Sequence, residues 1–131
     1  MKVSEIQIGD LVLYSNALAK VVEVNDMSKT AWLKVQATVK DDVKALEPIT
    51  LTNEFFEKNG FKKTTDEKYY MCDDYSELSA EEYSDSIWLI CCSDIECNLP
   101  VQKIMVSYIH QLQQFLRLCG DENLANNFKI E

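Results

Sequence analysis

The stretch "IGDLVLYSNALAKVVEV", residues 8–24, decides how the N-terminal half is read. Gly9 supplies the positive φ that a tight turn often needs, so Ile8–Asp10 reads as a turn into a strand over Leu11–Tyr14. A second turn at Ser15–Ala17 follows. Leu18–Asn25 then alternates, with Leu18, Lys20, Val22 and Val24 on one side and Ala19, Val21 and Glu23 on the other. That pattern predicts a strand pairing back onto the first. Upstream, "KVSEIQ" reads as an extended start. Downstream, Asp26–Lys29 turns again, and Thr30–Val39 is one β-rich run with Trp32, Lys34 and Gln36 opposite Leu33 and Val35. Several short strands at close spacing predict a small antiparallel barrel or curled sheet.

In residues 8–24 a hydrophobic–Gly–Asp turn leads into a strand on which the next strand folds back. This resembles the opening of SH3-like barrels of the KOW and Tudor kind. The resemblance implies a barrel over residues 1–49.

The best-punctuated segment is "LTNEFFEKNGF", Leu51–Phe61. Thr52 can cap a helix by accepting from a free first-turn N–H. Glu54 suits the positive end of the helix dipole. Leu51 and Phe56 are spaced to pack as a hydrophobic staple. Gly60 fits the left-handed residue beyond the helix, with Phe61 folding back on the last turn. A short helix over residues 53–59 is predicted. Beyond it, "FKKT" and "KYYMCD" read as strands, and Ser86–Ser93, "SIWLICCS", as a central strand rich in β-formers. "LPVQKIMV" reads as the last strand, with Pro100 at its start or on an edge.

Composition bounds the function classes. The 131 residues are 47% hydrophobic and 27% charged, the balance of a soluble globular protein. No apolar run approaches the roughly 20 residues that span a bilayer, and "MKVSEIQIGD" lacks the apolar segment of a signal peptide. A cytoplasmic protein without membrane contact is expected. Cys72, Cys91, Cys92, Cys97 and Cys119 are an odd set without CxxC spacing. Adjacent strand residues such as Cys91 and Cys92 face opposite ways, so buried thiols are expected rather than a metal site.

The net charge is −9, and residues 66–86 hold eight acids and one lysine. Within this acidic stretch, "DDYSELSAEEYSD", residues 73–85, reads as an exposed loop with one helical turn near "SAEEY". The tyrosines of residues 66–86 interleave with carboxylates, so Tyr69, Tyr70, Asp73, Asp74, Tyr75, Glu81, Glu82 and Tyr83 are the candidate partner-binding residues. No basic patch is visible in the sequence, which disfavours direct nucleic-acid binding.

"YIHQLQQFLRLCG", Tyr108–Gly120, holds the only histidine. At about 100° per residue, Met105, Tyr108, Ile109, Leu112, Phe115, Leu116 and Cys119 share one face of a helix. His110, Gln113, Gln114 and Arg117 take the opposite, exposed face. No carboxylate lies within helical reach of His110 to orient it as a base. No phosphate loop, metalloprotease or nucleophile-elbow motif occurs, so no catalytic residue, metal ligand or cofactor is assigned.

Leu51, Thr52, Glu54, Asn59, Gly60 and Phe61, followed later by Tyr108, His110, Leu112 and Gln113, match a recurring pattern. It resembles small uncharacterised proteins from phages and mobile elements of gut Bacteroidales. The resemblance covers about a quarter of the chain and implies an origin rather than an activity. The tail after Gly120 fits a short helix with Leu124, Phe128 and Ile130 as a final apolar anchor.

The expected fold is α+β. An SH3-like small β-barrel (residues 1–49) precedes an antiparallel sheet packed by a C-terminal amphipathic helix (residues 50–131), as two subdomains or one continuous domain. The expected function is a non-enzymatic accessory or interaction protein that binds a protein partner. The alternatives are an acidic DNA-mimic inhibitor of a nucleic-acid enzyme and a virion or assembly component.

Overall fold

The computed structural model describes residues 1–35, 37–64, 66–72, 76–94 and 102–130. Its architecture is α+β, built mainly from two antiparallel sheets. The first contains β1 (Leu11–Tyr14), β2 (Ala17–Asn25), β3 (Thr30–Lys34), β4 (Thr38–Asp42) and β5 (Leu46–Glu47). Its order is β4-β3-β2-β1-β5. β4 and β5 follow one another in the chain yet lie on opposite edges, and the sheet curls into a half-barrel.

Ser15 and Asn16 both take positive φ between the paired residues Tyr14 and Ala17. That is the two-residue hairpin turn whose twist matches its flanking strands. β2 departs from simple alternation. A bulge between Val21 and Glu23 shifts the register, so Val24 pairs with Ala31 and joins Ala19 and Val21 on the buried side. Val22 is left outside. The run Thr30–Val39 is not one strand but the hairpin of β3 and β4, and "KVSEIQ" opens with a 3-10 turn, Val3–Glu5, rather than an extended segment.

Helix α1 (Asn53–Lys58) follows. The Phe55 N–H donates to the Thr52 hydroxyl at 3.2 Å, and Leu51 and Phe56 are buried in the same cluster. Gly60 has φ +84°, and the Phe61 N–H donates to the Phe56 carbonyl at 3.0 Å.

The second sheet contains β6 (Lys62–Lys63), β7 (Tyr69–Cys72), β8 (Ser76–Ser84), β9 (Ile87–Asp94) and β10 (Gln102–Val106), in order β10-β9-β8-β7-β6. β9 is paired on both sides, the interior place expected from its apolar run. Within the described part of the predicted acidic loop, residues 76–84 are a strand and hold no helical turn. "SELSAEEYS" is β8, with Leu78 and Ala80 buried and Glu77 exposed. Its small, apolar and acidic residues alternate with period two, which makes a strand even though few of them are apolar.

Helix α2 (Ile109–Leu118) and the short α3 (Glu122–Ala125) complete the chain. Met105 lies on β10, not on the helix. Gln111 Oε1 accepts from the Ser107 and Tyr108 N–H groups just before α2. Residues 49–51 bind this junction, with Leu51 N–H donating to Ser107 O at 3.0 Å and Ile109 N–H to Ile49 O at 2.9 Å.

Two apolar clusters result. The smaller lies inside the curled sheet around Val12, Val21, Leu33 and Leu46. The larger joins α1, α2 and the inner face of the second sheet, and it includes Leu11 of β1 and Phe128 of the tail. Leu124 and Ile130 pack against it. Among the described residues no helix is long and apolar enough to cross a membrane.

Candidate functional site

The face of α2 expected to meet solvent does not. Gln113 is 0% exposed and His110 is 4% exposed; Gln114 is half-buried, and the Arg117 side chain is 13% exposed. The reason is that the start of the first sheet lies against this face, and its backbone matches the polar atoms presented there. Gln113 Oε1 accepts from Leu11 N–H at 2.8 Å, and its Nε2 donates to the carbonyls of Gly9 (3.1 Å) and Ala125 (2.9 Å). A primary amide satisfied in this way can be buried at little cost. Gly9 has φ +93°, and a Cβ there would stand 2.9 Å from Arg117 Nη2, so the close approach needs glycine.

Asp10 organises the rest. Its fully buried carboxylate accepts from Gln7 N–H (2.7 Å), Gln114 Nε2 (2.7 Å) and Arg117 Nη1 (2.6 Å). Arg117 Nε also donates to Asn126 Oδ1 at 3.3 Å. Nothing in the local sequence marks Asp10 for this role; its partners on α2 lie more than a hundred residues away.

A cleft of about 360 Å³ opens beside this network, lined by Glu5, Pro48, Tyr108, His110, Gln111 and Gln114. The His110 ring lies nearly parallel to that of Tyr108, with centroids 5.9 Å apart. Its Nδ1 is buried without a hydrogen-bond partner among the described residues. Burial lowers the His110 pKa below its ordinary 6.5, against the opposing pull of Asp10 and Glu5.

A pH dependence follows. Because the folded chain holds fewer protons on His110 than the unfolded chain, stability is full above the unfolded pKa of 6.5 and falls as pH drops towards the folded value. The slope contributed by one proton reaches at most about 1.4 kcal/mol per pH unit. Urea unfolding between pH 7.5 and pH 5 is expected to show this loss, and His110→Gln to remove it. An unchanged profile in the variant would assign the loss to other groups.

The solvent side of the second sheet is the other candidate. Register places Glu81, Leu89 and Met105 in one cross-strand row, and Tyr70, Ser79, Cys91 and Lys103 in the next. Tyr83 is 71% exposed, Met105 46% and Ile87 36%, while Leu89 is half-buried. Of the candidate partner-binding residues, Tyr70 and Glu81 lie in these rows and Tyr83 is exposed beside them, whereas Glu82, also exposed, pairs with Trp88 in the row of the opposite face. Tyr83 stands at the bulge between Glu82 and Ser84.

Tyr69 is a correction: it is only 1% exposed, stacks on Phe56 in the core, and donates its hydroxyl to Glu57 at 3.1 Å. Adjacent strand residues face opposite ways, and Tyr69 takes the inner one. Burial is the main cause of its raised pKa. Asp73, Asp74 and Tyr75 lie outside the described residues. Glu81 approaches Lys68 at 3.6 Å and is the main cause of that lysine's raised pKa. Ile87, Leu89 and Met105 were not among the candidates, because a single strand does not reveal which face its neighbours leave open.

Cys91 faces this open side, while Cys92 is buried beside Cys119, whose thiol pKa is pushed up by burial. Among the described residues no three His, Cys, Asp or Glu side chains gather as a metal site. Compared with protein-family models, curated proteins and solved structures, the chain matches none, and the functional reading rests on these two surfaces.

Proposed function

We propose that the chain is a non-enzymatic accessory or interaction protein of a phage or mobile element, and that it binds a protein partner through the open face of its second sheet. The observation that carries this reading is the exposure of Tyr83, Ile87 and Met105 around Leu89 on the solvent side of a sheet. Apolar side chains grouped on one exposed face mark an interaction surface more than scattered ones do. Glu81 shares the cross-strand row of Leu89 and Met105 and favours a partner with basic residues. The phage or mobile-element origin rests on the motif resemblance at Leu51–Phe61 and Tyr108–Gln113. In the same reading the curled first sheet is an SH3-like barrel, and the second unit an antiparallel sheet packed by the C-terminal helix.

The test is a tagged pull-down from host lysate, with and without nuclease, read by mass spectrometry. One enriched protein is expected in both conditions. Tyr83→Ser combined with Met105→Ser should reduce its recovery by about tenfold or more, the loss of one tyrosine-sized hot spot and its apolar neighbour. Unchanged recovery with a correctly folded double variant would overturn the assignment of this face.

A further inference from the structure

We propose that the cleft beside His110 is a binding site for a guanidinium or ammonium group, laid against the Tyr108–His110 ring pair and paired with Glu5. The site is separate from the open face of the second sheet. It lies where the first turn of the chain, Pro48 and α2 meet.

Two features select a cation. Among the described residues that line the cleft, the Glu5 carboxylate is the only formal charge, and none is a lysine or arginine. Asp10 behind the wall is paired with Arg117 at 2.6 Å, so the uncompensated negative charge of the cleft is that of Glu5. The Tyr108 and His110 rings stack within 12° of parallel, with Tyr108 the less buried of the two, and both line the cleft as aromatic surface. A cation over an aromatic surface gains from its negative face.

The polar groups also suit such a ligand. Gln114 Nε2 is occupied by the Glu5 carbonyl at 2.8 Å and by Asp10, which leaves its amide oxygen as an acceptor. The first turn of α2 opposes a cation through its partial positive charge. That charge is partly met by the Ile49 carbonyl, which accepts from Ile109 N–H. The Gln111 side-chain oxygen accepts from the two preceding N–H groups.

His110 is its own reporter, because it is the only histidine and its imidazole Cε1–H gives a single NMR signal. The intact chain is titrated with N-acetylarginine amide and with its neutral isostere, N-acetylcitrulline amide. A saturable shift of the His110 signal is expected with the arginine probe, and binding about tenfold weaker with citrulline, the combined effect of a cation–π contact and a partly exposed ion pair. Glu5→Gln should weaken the arginine probe, whereas Glu82→Gln, which removes an equal charge elsewhere, should not. Glu5 is exposed, and it meets Gln114 through its backbone carbonyl, which Gln at this position would keep.

A third probe, n-butylguanidinium, separates the sources. Tighter binding of the amide assigns the site to an arginine in a polypeptide; equal or tighter binding of n-butylguanidinium assigns it to a free cation. Equal affinity for arginine and citrulline, equal effects of the two glutamate variants, no saturable shift, or stronger binding of N-acetylaspartate amide would each overturn the proposal.

Discussion

Arg117→Met is expected to lower the unfolding free energy by about 3–5 kcal/mol, the cost of leaving a buried charge without its partner. Asp10 is fully buried, and Arg117, at 2.6 Å, is its only cationic partner among the described residues. The Gln7 N–H and Gln114 amide that remain are neutral donors and do not replace a charge. Native domains are stable by only about 5–15 kcal/mol, so this single change removes a large share.

A second variant separates the lost ion pair from lost packing. In Asp10→Asn/Arg117→Met the orphaned charge is gone, and the double variant should be more stable than Arg117→Met alone, a strong departure from additivity. Chemical denaturation of the parent, both single variants and the double variant measures the cycle. A loss below about 1 kcal/mol for Arg117→Met would mean that the pair behaves as an exposed one.

Phe56→Ala is expected to cost about 3–5 kcal/mol. Phe56 is fully buried and is the hub of the aromatic core. Its ring centroid lies 4.6 Å from that of Trp88, 5.2 Å from Phe61, 5.3 Å from Phe55 and 5.4 Å from Tyr69. Three of these contacts join α1 to the second sheet or to the turn leading into it. Removing the ring takes away apolar burial and leaves a cavity that a helix and a sheet cannot both close. Phe56→Leu, which keeps most of the volume, should cost clearly less. Thermal unfolding of both variants is the check, and equal midpoints for Phe56→Ala and the parent chain would contradict the packing.

Local punctuation was legible wherever one residue's chemistry decides a conformation. Gly9 and Gly60 take positive φ, Thr52 caps α1, and Ile87–Asp94 is an interior strand. Reading failed where a pattern was diluted or interrupted. β8 hid behind its acids, and the bulge at Val21/Glu23 moved Val24 to the other face. The partner-binding candidates were partly placed: Tyr83 and Glu82 are exposed, but Tyr69 lies in the core.

The sequence by itself determined the strand-rich character, the turns, the helix α1 with both its ends, and the apolar stripe of α2. These depend on backbone preference and on periodicity within a few residues. Only the tertiary structure decided the fate of the opposite face of α2. Periodicity identifies residues that avoid water, but a polar residue is buried or exposed according to whether distant groups can meet its hydrogen bonds. Gln113 finds Gly9 and Leu11, and Arg117 finds Asp10, across more than a hundred residues of chain. That match turns a face expected to meet solvent into the joint between the two sheets, and it creates the cleft in which His110 lies.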